Sequence, residues 1–233
     1  MIYVMSDIHG EYEKYRAMLE KIHFSQEDTL YVLGDAVDRG KEPIRLLQDM
    51  MQRENVFFIL GNHEGMALHI LKKLNVEVTA ENAGSHLDAN WMRAILDWQQ
   101  NGGHTTMQAF RSLSEEEKED VLDYLSDAPL YDVVEAAGKT FILVHAGLGN
   151  FKEGKKLRQY TFEELACSRP DYEKQYFSDP DIYIVSGHTP TLAVTGRAEM
   201  YLSHHNLLID CGAAYGGRLC CVCLDTMEEN YVE

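Results

Sequence analysis

The sequence predicts an α/β domain, and three observations carry that prediction. Apolar runs of strand length recur at Ile2 to Met5, Thr29 to Leu33 and Val56 to Leu60; amphipathic stretches separate them; and each run breaks off into a polar turn containing glycine. The first run ends at Ser6-Asp7-Ile8-His9-Gly10, after which Tyr12, Tyr15, Leu19 and Ile22 recur at helical spacing. The chain returns through Thr29 to Leu33, so it opens as a βαβ unit. This second strand, rich in residues that favour a pleated buried surface, ends at Gly34-Asp35-Ala36-Val37-Asp38-Arg39-Gly40. Ile44, Leu47 and Met51 mark the next helix, and the third strand ends at Gly61-Asn62-His63-Glu64. From residue 65 to about 129 the pattern is mostly helical: Leu87, Trp91, Ile95 and Trp98 have helical spacing, and Ser114 with Glu117 makes a capping box ahead of Val121, Leu122 and Leu125. Between those helices Asn101-Gly102-Gly103-His104-Thr105 is a turn, to which a structural role is given. Strands resume at Leu130 to Glu135 and Thr140 to Val144, the second ending at His145-Ala146-Gly147-Leu148. The polar stretch 151–180 reads as a surface excursion with one helix around Thr161 to Ala166. Ile182 to Val185 then runs into Ser186-Gly187-His188-Thr189-Pro190, and from Asn206 to Val232 apolar runs alternate with glycine-rich turns, most simply as antiparallel strands.

A chain of 233 residues can bury a full core, and its length fits one domain, residues 1–233, with a mainly helical insertion at about 65–129. Its 21 basic and 38 acidic residues give a formal charge of −17, which argues against a protein that coats nucleic acid or an anionic membrane. A phosphate-bearing substrate would need positive charge supplied locally, by metal ions and a few arginines. Five cysteines (Cys167, Cys211, Cys220, Cys221 and Cys223) leave one unpaired under any disulfide scheme and read as free thiols in a reducing cytosol. Cys220, Cys221 and Cys223 lack the second pair that a zinc site needs; alternating with Val222 and Leu224, they read as small core residues of a strand. The chain enters its first strand without a basic leader, and no apolar run approaches membrane-spanning length, so a soluble cytoplasmic protein is expected.

The residues at strand ends are Asp7, His9, Asp35, Asp38, Arg39, Asn62, His63, His145 and His188. Each alone is most simply a turn former or a satisfied polar group. Five strands that all end in a potential ligand call for another explanation, because open α/β sheets place ligands at the C-terminal ends of their strands. Carboxylate, imidazole and amide donors in one set suit manganese, iron or zinc rather than a calcium cage, and the lack of cysteine among them argues against a structural zinc. The donors outnumber the needs of one ion. Two ions about 3.5–4 Å apart, sharing a bridging carboxylate, would use them all and would acidify a water for in-line attack on a phosphoester.

In this order along the chain, DIHG, GDAVDRG, GNHE, HAGL and GHT resemble the phosphoprotein phosphatase branch of the calcineurin-like metallophosphoesterases, from Asp7 to the region of Gly217. The resemblance implies a central β-sandwich flanked by helices. It also implies that Asp7 and His9 hold a first ion, that Asp35 bridges, and that Asn62, His145 and His188 complete a second. Both ions are expected to be manganese, with iron or zinc as alternatives. His63 matches the general acid that protonates the leaving oxygen, Asp38 the carboxylate that orients its imidazole, and Arg39 a residue that binds phosphate oxygens, a task in which Asn62 is also placed. No covalent enzyme intermediate is expected. A further phosphate-binding arginine falls on Arg169, in Ser168-Arg169-Pro170-Asp171, in preference to Arg158.

The chain departs from the pattern at Leu60, where many protein phosphatases of the family carry a basic residue. Bacterial dinucleoside tetraphosphate hydrolases are similar to it there, but usually lack the ending at Asp38-Arg39-Gly40. The leading expectation is a Ser/Thr or broad-specificity phosphoprotein phosphatase, acting on a phosphorylated protein or a small phosphoester. The alternatives are a symmetric diadenosine tetraphosphate hydrolase and, from another class, a non-catalytic regulatory protein on the same scaffold. His23, His69, His86 and His104 are assigned to surface or core, and His204 and His205 to a loop before a strand.

Overall fold

The computed structural model describes residues 1–76 and 89–233. Alternation along each strand decides the architecture. In β1 (Ile2–Met5), Met5 turns toward helices while Val4 turns toward a second sheet. β1 pairs in parallel with β2 (Thr29–Leu33), Met5 opposite Val32, and β2 pairs in parallel with β3 (Val56–Ile59), Leu33 opposite Ile59. β9 (Leu219–Cys223) and β10 (Glu228–Val232) add antiparallel strands, giving the order β10-β9-β1-β2-β3. The second sheet runs β4 (Tyr131–Ala136), β5 (Lys139–Val144), β6 (Ile182–Ser186), β8 (Asn206–Leu208), β7 (Tyr201–Ser203), with β5, β6 and β8 parallel.

The facing sides of the sheets bury Val4, Tyr31 and Leu33 against Phe141, Leu143 and Val185. On its other side the first sheet is covered by α1 (Tyr12–Lys21) and α2 (Pro43–Met51), which contribute Tyr15, Met18, Leu46 and Leu47. The molecule is therefore a mixed α/β sandwich of two mixed sheets flanked by helices, as the resemblance implies, where the strand pattern pointed only to an α/β chain. α3 (Asn62–Leu74), α4 (Ala89–Trp98), α5 (His104–Arg111) and α6 (Glu115–Asp127) make up the helical stretch. α4 buries Trp91 and Trp98, whereas Leu87 and His86 lie outside the described residues. At the start of α6, Ser114 Oγ accepts from the Glu117 amide (3.3 Å) and the Ser114 amide donates back to the Glu117 carboxylate (2.8 Å). Later come α7 (Phe162–Ala166) and α8 (Thr191–Thr195).

The tail differs from the antiparallel reading. β8 pairs in parallel with β6 and antiparallel only with β7, and the chain then crosses to the other sheet, where β9 pairs antiparallel with β1. Two short strands of apolar residues carry no mark of which sheet they join; partners distant in sequence decide it. His204 and His205 form the tight β7–β8 turn, both at positive φ (45° and 64°), the twist that two-residue hairpins favour. Cys220, Cys221 and Cys223 lie buried on β9, and every cysteine is a free thiol.

Gly34, where β2 becomes a loop, has φ +78°, and a Cβ there would stand 2.6 Å from both Gly61 Cα and His145 Nδ1. Gly34→Ala should destabilise the fold by about 3 kcal/mol or more, as left-handed strain adds to overpacking; an unchanged urea midpoint would contradict this packing.

Candidate metal centre

Parallel strands send their C-terminal ends to one rim, and there the loops after β1, β2, β3, β5 and β6 meet. Backbone bonds tie them together: His9 N to Asp35 O, Gly10 N to Ala36 O, Gly40 N to His9 O and Gly187 N to His145 O, each 2.8 Å. Six of the converging residues on these loops adopt left-handed backbone: Asp7 (φ 52°), His9 (49°), Asp35 (53°), Asp38 (70°), Arg39 (64°) and His188 (63°). Each such conformation costs about 1–3 kcal/mol and persists only where the surroundings over-determine it. Strain is thus concentrated where the polar side chains converge.

At the centre is Asp35, 2% exposed. Its Oδ1 lies 3.3 Å from His145 Nε2, and its Oδ2 lies 3.5 Å from His9 Nε2 and 3.9 Å from His63 Nε2. One carboxylate thereby belongs to two clusters, His9–Asp35–His63 and Asp35–His145–His188, in each of which the ligand atoms lie within 4.8 Å of one another. The imidazoles are aimed from behind. His9 Nδ1 meets Val37 O at 2.8 Å and His145 Nδ1 meets Leu33 O at 2.6 Å, so each ring N–H donates to a carbonyl and Nε2 faces inward, the usual outer support of a metal-binding histidine. Asn62 Oδ1 stands 3.0 Å from His145 Nε2 and 2.8 Å from His188 Nδ1. Asp7 borders both groups: its Oδ2 accepts from Ser6 Oγ and from His188 N (2.9 Å), and its Oδ1 lies 4.0 Å from His9 Nε2. A mixed oxygen and nitrogen donor set converging from five loops on two adjoining points fits divalent transition ions.

The electrostatics are those of a compact, buried site in which carboxylates and imidazoles set one another's charge. Burial pushes the Asp7 carboxyl up to about 7, with Asp35 adding to it against the pull of His145. Burial acts on Asp35 too, but His145, His63 and His9 outweigh it and hold that carboxyl well below the usual range. Burial lowers His9 to about 3, with Arg39 and His63 adding, and lowers His188 to about 4, with His145 and Arg169 adding. His145 goes the other way: burial opposes its charge, but Asp35 and then Asp7 raise it to about 10.

Beside this centre His63 Nδ1 lies 2.7 Å from Asp38 Oδ2, and Asp38 is fully buried. Helices from the far part of the chain hold that carboxylate. Trp98 Nε1 on α4 donates to Oδ2 (2.8 Å), Thr106 Oγ1 on α5 donates to Oδ1 (2.6 Å), and the Asp38 amide donates to the same threonine oxygen (2.8 Å). The turn at Asn101 to Thr105 grips the next residue: Arg39 N donates to Gly102 O (3.0 Å), and a Cβ on Gly102, at φ +100°, would lie 2.6 Å from Arg39 Cγ. The Arg39 guanidinium spans the mouth, with Nη2 2.9 Å from His63 Nε2 and Nη1 against His9 Nε2. Arg169 is exposed, and its charge is felt by His188; Arg158 sits in the turn Leu157–Gln159.

Sequence reasoning assigned nothing to Glu64, Trp98 or Thr106 at the site. Glu64, fully buried, accepts backbone N–H bonds from Asp35 (2.9 Å), Ala36 (2.8 Å), Val37 (3.0 Å) and Gly61 (3.1 Å), tying the β2 loop to the start of α3. Burial, then Asp35, pushes its carboxyl up to about 7. A signal existed: a glutamate at the third position of a helix that starts beside a glycine. Glu64→Gln turns an amide donor toward two backbone N–H groups and should lower stability by about 3 kcal/mol in urea titration; a loss under about 1 kcal/mol would remove Glu64 from this role.

Comparison with known proteins bears on the family and the fold. The family model described as calcineurin-like phosphoesterase matches residues 1–220. The asymmetrical bis(5'-nucleosyl)-tetraphosphatase PrpE of Bacillus thuringiensis (strain Al Hakam) is 24% identical over 97% of this chain and 91% of its own length. The symmetrical bis(5'-nucleosyl)-tetraphosphatase of Wigglesworthia glossinidia brevipalpis is 29% identical, over 41% of this chain and only 36% of its own length. Among solved structures, one presented as a candidate diadenosine tetraphosphatase superposes with a TM-score of 0.67 at 20% identity, covering 99% of this chain and 92% of the other. A protein serine/threonine phosphatase from Saccharomyces cerevisiae superposes with a TM-score of 0.54 at 14% identity, over 100% and 79%. With its two sheets, its histidine and aspartate clusters and a family match over nearly its whole length, the chain belongs to the calcineurin-like phosphoesterase family.

Proposed function

We propose that this chain is a dinuclear metal-dependent phosphoester hydrolase that protonates its leaving group through His63. The observation that carries the reading is Asp35, one carboxylate shared by two ligand clusters, beside an imidazole backed by a buried acid. Asp7, His9 and Asp35 would hold one divalent ion, and Asp35, Asn62, His145 and His188 the other, manganese being the first choice with iron or zinc as alternatives. When bound, such ions acidify a shared water and draw charge from the phosphoryl oxygens.

The chain's own residues do the rest. Asp38, held by Trp98 and Thr106, accepts from His63 Nδ1 and stabilises the imidazolium, whose Nε2 then presents a proton to the departing oxygen. Arg39, a planar fork of donors, moves from the two imidazole nitrogens to substrate oxygens, and Arg169 adds positive charge from the His188 side. The substrate we favour is a dinucleoside polyphosphate, supported by the names of the full-length relatives and by Leu60. A phosphoprotein substrate is the second reading, supported by Asp38-Arg39-Gly40. Digestion of diadenosine tetraphosphate with manganese added tests the pair: two nucleoside diphosphates mark symmetric cleavage, a mono- and a triphosphate asymmetric cleavage, and turnover of phosphopeptides alone would overturn the nucleotide reading.

Asp35→Asn should lose metal, whereas Asp38→Asn should keep metal and lose about 10²- to 10⁴-fold in kcat. Metal content by atomic absorption beside kcat checks both, and an empty site in Asp38→Asn would contradict the division of roles. Asp7 at about 7 and His145 at about 10 are both raised, so each binds a proton that an incoming cation must displace. Manganese affinity should therefore rise with pH from 6 to 9, the Asp7 contribution levelling off above about 7 while that of His145 continues at about tenfold per unit; calorimetry in buffers of different ionisation enthalpy counts those protons, and a flat profile would disprove the coupling.

A further inference from the structure

We propose that Tyr215 is a stacking platform for the nucleobase of a nucleotide substrate, which would make it a specificity-determining residue of this site. The inference rests on reading the site as a phosphoester hydrolase. Tyr215 ends a short turn, Ala213–Tyr215, between Gly212 and Gly216, both left-handed. The turn is pinned: Lys14 Nζ on α1 donates to Ala213 O (3.0 Å) and Gly217 O (2.9 Å), while the amides of Tyr215 and Gly217 both donate to Gly212 O (2.9 Å). A loop fixed by four hydrogen bonds nonetheless leaves Tyr215 64% exposed. The Arg39 guanidinium lies over that ring, its Cζ 4.7 Å from the centroid, while its Nη2 lies 2.9 Å from His63 Nε2. The platform thus stands one guanidinium away from the imidazole that faces the leaving oxygen.

That spacing selects among aromatic leaving groups. A phenyl ring bonded to the scissile oxygen would sit against His63 itself, short of Tyr215. The alkyl leaving group of a phosphoserine offers no plane to stack. A nucleobase is planar on both faces and is set off from its phosphates by a ribose, so it reaches outward while Arg39 keeps the phosphate. The platform is tolerant as to which base, since every base has a π-face.

The test uses the full chain reconstituted with manganese and measures the ratio of kcat/KM for diadenosine tetraphosphate to that for phenyl phosphate. Tyr215→Ala should lower the ratio about tenfold or more, while Tyr215→Phe and Tyr215→Trp hold it within about threefold of the parent. A second readout does not depend on turnover: the dissociation constant for ADP by calorimetry should rise about tenfold in Tyr215→Ala and stay near the parent value in Tyr215→Phe. An unchanged ratio, whether both activities fall together or neither falls, overturns the proposal, because the ring would then serve only to steady Arg39 or would serve nothing. A loss in Tyr215→Phe equal to that in Tyr215→Ala overturns it too. If the parent hydrolyses neither substrate, the hydrolase reading has failed, and the ADP isotherms still decide the role of the ring.

Discussion

A single buried carboxylate sets the terms for the rest of this molecule. Asp35 is 2% exposed, and it remains ionised because imidazoles surround it on two sides. A charge in so dry a place is tolerated only when paired and hydrogen-bonded. The residue is also held at φ 53°, which a side chain adopts at a cost. Neighbouring features answer those demands: the Glu64 carboxylate that accepts the amides of residues 35–37, the glycine at 34 that lets Gly61 approach, and the backbone bonds that tie the β1 and β2 loops. Stability given up in the turns is returned by the sandwich beneath them, whose inward strand residues form a continuous apolar layer.

The helical stretch does more than cover the sheet. Its Trp98 and Thr106 reach the same buried Asp38, and its turn at Gly102 takes the amide of Arg39. On the proposed reading His63 gives up a proton and needs its other nitrogen held, and the holder is itself held by two helices more than fifty residues away in sequence. Loss of the Trp98 or Thr106 contact would therefore reach His63 through Asp38. The stretch that looks most like an addition supports the pairing of Asp38 with His63.

Much of the site was legible because its residues end strands. A run such as Thr29–Leu33 followed at once by Asp35, Asp38 and Arg39 leaves few places for charged side chains, and parallel strands send those places to one rim. The β-sandwich came from the resemblance, since alternation alone did not say that Val4 and Leu33 would face Phe141 and Leu143. In the tail β9 and β10 are antiparallel as expected, and only β8 departs, for the same reason: nothing local to Asn206–Leu208 says that it lies parallel to β6.

The sequence by itself determined the strands and helices, their polar ends and the chemistry those ends can do, because spacing and residue type act over a few neighbours. Only the tertiary structure decided which oxygen of Asp35 faces which histidines, that Glu64, Trp98 and Thr106 support the site, and that Tyr215 stands exposed over Arg39. Those facts depend on long-range contacts, from Asp35 with His9, 26 positions apart, to Arg39 with Tyr215, 176 apart, and local periodicity carries no record of them. An indole N–H or a buried carboxylate announces that it needs a partner; the packing of the two sheets and the helices names it.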